Sequence, residues 1–409
     1  MTMKFGPNPR LRINSSVKHY VSVLRGMFSD LYTSELAVDD LERQIERRVG
    51  RKHCIAMPMA RTGIYATIKN VVVPGQEVIL SPYTIADVIN MVVCAGAKPV
   101  FADLAKDSCN ICPNSIESLI GENTGAVMTT HFYGLMSDIE AIKLICTKHR
   151  LPLIEDSAQA FGAVTQGTAA GCWSDAGIFS FGAYKNINSF LGGCVVTDND
   201  ELAARLRAEV TEWPLIPKSQ YAKKTISTLI TDLVTTPVFF SNLFFYVFRY
   251  AFVNDIDAIN KYMKIDVSPE LMTKLPSSYK VRMSGVQASL VASQLGEKVE
   301  EDIEARIKAA RRYHDGLKDI DKLGLAPLRE DCSHAYWYYP LKAPNRSELV
   351  KYAMKQGRDI TMSYHRNCAG LGCFSEWGRD CPEAVRTANS VIYLPTYPRY
   401  GLKEVDENI

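Results

Sequence analysis

The chain has 409 residues, of which 47% are hydrophobic and 22% charged, and its formal net charge is +2. This length and composition are typical of a globular enzyme that has one large domain and one smaller domain. A net charge this close to zero provides no basic field, so nucleic acid is excluded as an expected partner.

The number and placement of the cysteines bear on whether the protein works in a reducing or an oxidising compartment. There are eleven, an odd number, scattered through apparent core strands, and no secretory signal precedes the first helical segment. We therefore expect a reducing cytoplasm. Cys109 and Cys112 form a CxxC, but no second pair follows at zinc spacing, so we interpret them as incidental loop cysteines and predict no metal site.

Short apolar runs alternate with helical patterns along the first half of the chain. Strands are predicted at 54–57, 77–80, 99–101, 126–129, 152–154, 177–181 and 193–196. Helices are predicted at 62–71, 85–94, 138–149 and 200–210, with Asp138 and Asp200 as N-caps. This alternation predicts an α/β fold whose large domain spans 41–210.

Two residues between Ile154 and Val196 suggest a cofactor. An apolar strand ends on Asp156, and a second strand-like run delivers Lys185 into a Gly-rich loop. Pyridoxal phosphate chemistry needs one lysine to hold the aldehyde covalently and one carboxylate to keep the pyridine nitrogen protonated. An isolated Asp is more often a helix cap, but its pairing with Lys185 beyond the carboxyl end of a strand favours a cofactor site.

Nine segments carry a family resemblance. In chain order they are ARTGIYATIK, VPGQEVILSPYT, GAKPVFADL, HFYGLMSDIEAI, IEDSAQAFGA, FSFGAYKN, LGGCVVTDND, VRMSGVQASLVASQL and YLPTYP. Together they resemble the signature blocks of the DegT/StrS-type sugar aminotransferases, from about Leu41 to the C-terminus with one interruption. The resemblance implies fold-type I, with a mixed, mostly parallel sheet flanked by helices in the large domain and a smaller C-terminal α+β domain. It also implies a homodimer whose active sites lie at the subunit boundary.

The resemblance also implies a reaction. Members use pyridoxal 5'-phosphate to move an amino group from an amino acid, expected to be glutamate, to a keto group. The expected acceptor is a nucleotide-linked keto-deoxysugar of polysaccharide, O-antigen or amino-sugar biosynthesis. Two alternatives stay open: a membrane-peripheral aminotransferase acting on a lipid-linked or non-sugar ketone, and a non-catalytic regulatory relative that binds the cofactor. A sugar dehydratase relative usually lacks the Schiff-base lysine, and the presence of Lys185 argues against it.

The family pattern assigns roles around the cofactor. Lys185 would hold the aldehyde and later move the α-proton, and Asp156 would face the pyridine nitrogen. Gln159 would lie near the phenolic oxygen, and Ser180 would donate to the phosphate. The phosphate turn, which in the family is of Gly-Thr-Ser/Thr-Ala type, corresponds here to Ala60 followed by the binding candidates Arg61, Thr62 and Gly63.

Three positions depart from the family pattern. Ala60 replaces the first glycine of the phosphate turn, and Arg61 can add a charge-assisted contact or lie exposed along its helix. Ile85 replaces the aromatic residue that covers the pyridine face, so Tyr83 either supplies an aromatic face or lies in the core. Lys280 replaces an asparagine that reaches the partner subunit's phosphate, and it is either such a contact or an ordinary surface lysine.

Four residues are candidates for substrate contact. Tyr83 is one, His131 aligns with a family histidine near the substrate side, and Tyr364 and His365 lie in the MSYHR run of the small domain. Each has a structural alternative, a buried histidine for His131 and a packed strand end for Tyr364 and His365.

The interruption of the family pattern is an apolar insertion at 211–280. A spanning helix needs about 20 apolar residues, and Asp232 and Pro237 interrupt this one. Two interpretations remain: a helical pair packed on the enzyme's own dimer, or a membrane-surface contact through 225–253 at the inner face of the membrane. The second would place six side chains in the lipid boundary and use cations flanking the segment. The six are Phe239, Phe240, Leu243, Phe244, Val247 and Phe248, and the cations are Lys223, Lys224, Arg249 and Lys261.

These interpretations divide the chain into five parts. We expect an N-terminal arm at 1–40, a large cofactor-binding domain at 41–210 and the hydrophobic helical insertion at 211–280. A linking helix at 281–317 then leads to a small C-terminal domain at 318–409.

Overall fold

A seven-stranded sheet forms the centre of the computed structural model, which describes residues 6–256, 258, 269–329 and 332–409. The strands of this sheet and of the smaller sheets, in chain order, are β1 His53–Met57, β2 Glu77–Leu80, β3 Tyr83–Thr84, β4 Lys98–Phe101, β5 Thr124–Thr130, β6 Leu153–Asp156, β7 Val164–Thr165, β8 Thr168–Ala169, β9 Ala176–Ser180, β10 Gly193–Thr197, β11 Gly324–Leu325, β12 Cys332–Ser333, β13 Tyr339–Lys342, β14 Thr361–Met362, β15 Arg366–Asn367 and β16 Val391–Leu394.

Helices cover the sheet and connect its strands. They are α1 Val17–Met27, α2 Glu35–Val49, α3 Ala60–Val71, α4 Ala86–Cys94, α5 Pro113–Glu117, α6 Ile139–His149, α7 Asp200–Thr211, α8 Lys218–Val234, α9 Pro237–Val253, α10 Gly285–Ala292, α11 Glu297–Leu317, α12 Arg346–Lys355, α13 Pro382–Ser390 and α14 Leu402–Asp406. The predicted helices and strands of the large domain are all present, with bounds shifted by no more than a few residues.

The sheet has the order β1-β10-β9-β6-β5-β2-β4. Strand β10 pairs antiparallel with both neighbours, and the other four pairs are parallel. The strands are almost continuously apolar and buried, as is typical of a parallel sheet that is covered on both faces. The predicted mixed, mostly parallel sheet is therefore confirmed.

One of the two N-cap predictions, Asp200, was wrong, and the other, Asp138, was right in position. Asp200 is the first residue of α7, and the cap is Asn199, whose side-chain oxygen accepts a hydrogen bond from the Leu202 N–H at 3.0 Å. Asp138 lies at the N-cap position of α6 but makes no side-chain capping bond. Adjacent Asn and Asp are both good caps, so sequence cannot choose between them.

The C-terminal part is a four-stranded antiparallel sheet of order β11-β13-β16-β14 with helices α12 and α13. A second, two-stranded contact joins it to the large domain, because β15 pairs with β3 in the register Arg366 to Thr84 and Asn367 to Tyr83. The preceding segment 281–317 contains two helices, α10 and α11, where one linking helix was expected.

The apolar insertion forms α8 and α9, which we call the bent pair. Within the described residues no single helix has the length and apolar content to cross a membrane; only these two helices taken together do, and they are bent by 54°. Residues 257 and 259–268 of the predicted insertion, including Lys261, lie outside the described residues.

The bent pair packs one face on the protein. Phe240 and Phe245 are 3% and 1% exposed, and Phe244 and Phe248 pack against the same core. The expectation that Phe240 faces lipid is therefore wrong, and Phe244 and Phe248 are partly buried against the same core. A helix that is apolar on all sides has no polar face to show which side is buried.

Glu155, the residue before Asp156 in β6, hydrogen-bonds to segments from two other parts of the chain. Its side chain is fully buried, and its carboxylate accepts hydrogen bonds from the N–H groups of Gly171, Trp173 and Ser174, each at 2.9 Å. The His131 Nε2 lies 2.9 Å from the same carboxylate. Burial alone would raise the pKa of Glu155, but hydrogen bonds from His131, Ser174 and Gly171 outweigh it and hold the pKa below the ordinary value.

We expect Glu155→Ala to destabilise the protein by about 3–5 kcal/mol, because it leaves buried donors without an acceptor. Urea unfolding at a fixed protein concentration measures this. Glu122→Ala, which changes an exposed side chain, is the control and should shift stability by less than about 0.5 kcal/mol. The lowered pKa also makes the stability depend on pH. The stabilisation from ionised Glu155 is fully present above the ordinary glutamate pKa of about 4.3 and is lost as the pH falls through the lower pKa of the folded state. Equal stability of the two variants would contradict this role.

Candidate active site

Three strands end at the carboxyl edge of the sheet, and their last residues form the floor of the site. Strand β5 ends on Thr130, β6 on Asp156 and β9 on Ser180. Asp156 pairs in register with Thr130 on one side and Ile178 on the other. This is the edge at which open α/β sheets collect their ligands.

Asp156 is a buried carboxylate that is only partly satisfied by the protein. Its side chain accepts hydrogen bonds from the Ala158 N–H at 3.1 Å and from the Thr130 hydroxyl at 3.4 Å. Burial raises its pKa, while the Ala158 N–H and the charge of Lys185 oppose the rise. A buried acid with a nearby amine is the arrangement that the sequence predicted for these two residues.

Lys185 lies in the loop after β9, whose turn is closed by a hydrogen bond from the Lys185 N–H to the Gly182 carbonyl at 2.9 Å. Burial lowers the pKa of Lys185 to about 8, and the Asp156 carboxylate partly opposes this shift. The amine is thus much closer to its neutral, nucleophilic form at physiological pH than an ordinary lysine, whose pKa is about 10.4.

Trp337 is a site residue that sequence reasoning missed. The Lys185 Nζ lies 3.9 Å from the centre of the Trp337 ring. The indole N–H donates to the Tyr184 carbonyl at 2.7 Å, and the Trp337 carbonyl accepts a hydrogen bond from the buried Arg306 at 3.1 Å. Trp337 lies in the run HAYWYYPL, just before strand β13 begins at Tyr339. Its only sequence signal is the density of aromatic residues in that run.

The start of α3 provides free backbone donors. Met59 precedes the helix and makes no side-chain cap, so the N–H groups of Ala60, Arg61 and Thr62 have no partner within the helix. Gly193 of β10 packs against this turn, and a Cβ there would lie 2.6 Å from the Ala60 nitrogen. The close approach therefore requires glycine at position 193. Such a helix start is suited to an anion.

Side chains around this turn are mostly engaged. Arg61 is paired with the Asp87 carboxylate and donates to the Tyr279 hydroxyl at 3.1 Å. Thr62 is buried, and its hydroxyl donates to the Tyr279 carbonyl at 3.4 Å. Gly63 packs in the core, where a Cβ would lie 3.1 Å from Val195.

The Ser180 hydroxyl at the end of β9 accepts a hydrogen bond from the Gly182 N–H at 3.3 Å. Its own hydrogen remains available to an anion at the turn.

Lys280 is exposed and follows the short helical turn Ser277–Tyr279. Because Tyr279 contacts Arg61 and Thr62, this segment lies beside the phosphate turn of its own chain. A second cation approaches from α8: burial, and then the charge of Arg61, lower the pKa of Lys224. The sequence alone predicts Lys224 only as a cation flanking the insertion.

Gln159 is held from two sides. Its side-chain oxygen accepts a hydrogen bond from the Tyr133 N–H at 2.8 Å, so its amide nitrogen points toward the His365 Nε2, 3.4 Å away. His365 Nε2 must then accept, and the proton of His365 is on Nδ1, which lies 2.9 Å from the Tyr393 hydroxyl. Burial, followed by the charge of Lys185, lowers the pKa of His365 to about 3, which keeps the ring neutral.

Tyr83 belongs to the same network and not to a cofactor face. It is fully buried, and its hydroxyl lies 2.6 Å from that of Tyr133 and 2.8 Å from that of Ser363. The core alternative therefore holds for Tyr83. Ile85, partly buried at the N-cap position of α4, remains the candidate for covering the ring.

The other two substrate candidates differ in accessibility. His131 is fully buried between Glu155 and the Ser137 hydroxyl, at 2.9 and 3.1 Å, so both ring nitrogens are engaged. This favours its structural alternative over substrate contact. Tyr364 is partly exposed and stacks on His365 with ring centres 4.5 Å apart. It remains the candidate nearest to an open surface.

Comparisons with known proteins agree on one family. The family model for DegT/DnrJ/EryC1/StrS aminotransferases matches residues 18–228 and 251–409. The spore coat polysaccharide biosynthesis protein SpsC of Bacillus subtilis is 27% identical over 384 residues, which are 91% of this chain and 87% of that protein.

Solved structures share the fold. The sugar aminotransferase CalS13 of Micromonospora echinospora aligns with a TM-score of 0.77 at 19% identity, over 98% of this chain and 97% of that one. Helicobacter pylori PseC, an aminotransferase of pseudoaminic acid biosynthesis, aligns with a TM-score of 0.75 at 20% identity, over 99% and 97%. The predicted fold-type I architecture is thereby confirmed.

The lowered pKa of Lys185 is directly testable. We expect acetylation of its amine by a small acylating reagent to rise with pH about a midpoint near 8, because only the neutral amine reacts. In Asp156→Asn the midpoint should move to lower pH, since the carboxylate stabilises the charged ammonium. Mass spectrometry of the Lys185 peptide measures the rate, with the exposed Lys223 as internal reference for reagent reactivity. An unchanged or higher midpoint in Asp156→Asn would contradict the coupling.

Proposed function

This chain belongs to the DegT/DnrJ/EryC1/StrS aminotransferase family, and we propose that it binds pyridoxal 5'-phosphate and aminates the keto group of a nucleotide-linked sugar, with glutamate as donor. The observation that carries this proposal is the buried Asp156 facing Lys185 at the carboxyl edge of the sheet, with a free helix start beside them.

The residues present fit the cofactor. The Asp156 carboxylate can accept a further hydrogen bond from a protonated ring nitrogen. Its pKa is raised because the negative charge is buried with few hydrogen-bond donors around it. The N–H groups that begin α3, with Ser180 and Arg61, provide donors for the phosphate. When bound, the cofactor supplies an electron-withdrawing ring that stabilises negative charge on the carbon that loses its proton.

Lys185 is the residue that moves the proton. An amine with a pKa of about 8 can both accept a proton from carbon and return it near neutral pH. Trp337 fixes the direction of the amine, because the Nζ lies over the indole face, the indole N–H donates to the Tyr184 carbonyl, and Arg306 donates to the Trp337 main-chain carbonyl. Gln159, held by Tyr133 and His365, would lie against the cofactor when it is bound.

The acceptor class is supported by the relatives, which are named for sugar and polysaccharide biosynthesis. Tyr364 is the partly exposed aromatic residue beside the site, and it is suited to packing against a sugar face.

A second copy of the chain is supported by α1. Its outer side exposes an apolar stripe, which suits a partner subunit. The stripe is Val17, Val21, Leu24 and Phe28.

The test is the visible spectrum of the purified protein with pyridoxal phosphate. We expect a visible absorbance band that disappears on adding glutamate and returns on adding a nucleotide-linked keto-sugar. Lys185→Ala should lose these spectral changes, with turnover falling roughly a thousandfold or more.

Lys148→Ala, which changes an exposed lysine on α6, is the matched control and should behave as the wild-type protein does. A band that no amino acid alters would favour the regulatory alternative. A response to glutamate but to no keto-sugar would retain the aminotransferase and overturn the acceptor.

A further inference from the structure

The outer face of the bent pair exposes a continuous set of apolar side chains. We call it the outer stripe; its members are Ile226, Leu229, Ile230, Leu233, Val238, Phe239, Leu243, Tyr246, Val247 and Tyr250. Their spacing of three and four residues places them on one side of each helix. Phe239, Leu243 and Tyr250 are more than half exposed, at 54%, 56% and 64%. A patch of this kind marks an interaction surface.

The family match separates this surface from the rest of the enzyme. The family model stops at residue 228 and resumes at 251, so most of the outer stripe lies in the unmatched segment. Most of the outer stripe therefore lies outside the residues that this chain shares with the family model, whereas Val21, Leu24 and Phe28 of the stripe on α1 lie within them.

The charges on and around the outer stripe have one sign. From Lys218 to Asn254 there are four cationic residues and a single carboxylate, Asp232. That carboxylate points inward, where Arg12 donates to it at 2.7 Å. Lys223 is exposed and lies one turn before Ile226 on the same side of α8. Lys224 is turned to the inner side beside Arg61, so Lys223 and Arg249 are the cations next to the outer stripe, and the acid that follows it, Asp255, is paired with Lys351 at 2.7 Å.

A cationic cavity adjoins the far end of the outer stripe. It has a volume of about 530 Å³, and Tyr246 of the stripe lines it together with Arg249, Lys355 and Lys403. The two glutamates in its wall are engaged, since Asn8 donates to Glu404 and Arg358 to Glu407, each at 2.5 Å. Within the described part of the chain, no carboxylate pairs with Arg249, Lys355 or Lys403.

We propose that the outer stripe docks this enzyme on an anionic lipid surface, with the cavity beside Arg249 receiving a headgroup phosphate. Apolar side chains enter the lipid boundary while flanking cations meet anionic headgroups, which is how amphipathic helices lie on membranes. The inward packing of Phe240 and Phe245 fixes the bent pair to the enzyme, so the whole molecule is held at the surface. This inference is independent of the acceptor proposed above.

Vesicle co-sedimentation tests the proposal. The wild-type protein should bind vesicles of phosphatidylcholine with phosphatidylglycerol, and bind phosphatidylcholine alone at least about tenfold more weakly. Binding should weaken as salt is raised until the Debye length falls from about 30 Å to about 3 Å. The double variant Leu243→Asp, Val247→Asp should reduce binding roughly tenfold or more, because both exposed side chains leave the lipid boundary. Ile230→Asp on α8 provides an independent second variant.

A charge-reversal double variant tests the cationic cavity separately from the apolar stripe, and a second variant serves as a control. Lys355→Glu with Lys403→Glu should weaken binding to anionic vesicles and leave the weak binding to neutral ones unchanged. Leu144→Asp, an exposed leucine on α6 away from the bent pair, is the matched control and should bind as the wild-type protein does. Circular dichroism and the glutamate-induced spectral change should be the same in all variants, which establishes folding.

Equal vesicle binding by the wild-type protein and the double variant would overturn the proposal. So would the absence of binding to anionic vesicles. If the double variant instead changes the oligomeric state in size-exclusion chromatography with light scattering, the outer stripe contacts a second copy of the chain and not lipid.

Discussion

The desolvated pair formed by Asp156 and Lys185 is the interaction on which the site depends. Removing two opposite charges from water costs free energy, because burial disfavours the charged form of each group. Burial therefore raises the pKa of Asp156 and lowers that of Lys185. Each residue keeps the other closer to its charged form. The protein retains an acid and an amine in one buried place because the sheet delivers both, Asp156 at the end of β6 and Lys185 just after β9.

The small domain reaches this pair through hydrogen bonds that converge on Gln159. His365 accepts from Gln159 and shares its Nδ1 proton with the hydroxyls of Tyr133 and Tyr393. Pairing of β15 with β3 holds the same part of the small domain on the large one. A neutral His365 is essential here, since a protonated ring could no longer accept from Gln159. Because the ring is buried and next to a cation, its lowered pKa preserves this arrangement across the physiological range.

Much of the fold could be predicted because a buried strand is recognisable from its own short stretch of sequence. The buried strands are unbroken apolar runs, and the strand end on Asp156 follows from where its run stops, while the strand predicted at 126–129 extends to Thr130. Contacts that depend on distant parts of the chain could not be predicted. Trp337 and Lys185 are far apart in sequence, and no pattern near either residue indicates that they meet. Tyr83 gave no signal of its buried hydrogen bonds for the same reason. Phe240 was placed on the wrong side because the helix that carries it has apolar residues on every face.

Helix α8 links the outer surface to the site. On its inner side, the Lys224 amine is close enough to Arg61 for that charge to add to the lowering of its pKa by burial. On its outer side it carries Ile226 and Ile230. The insertion therefore borders the candidate site on one side of α8 and exposes apolar side chains on the other.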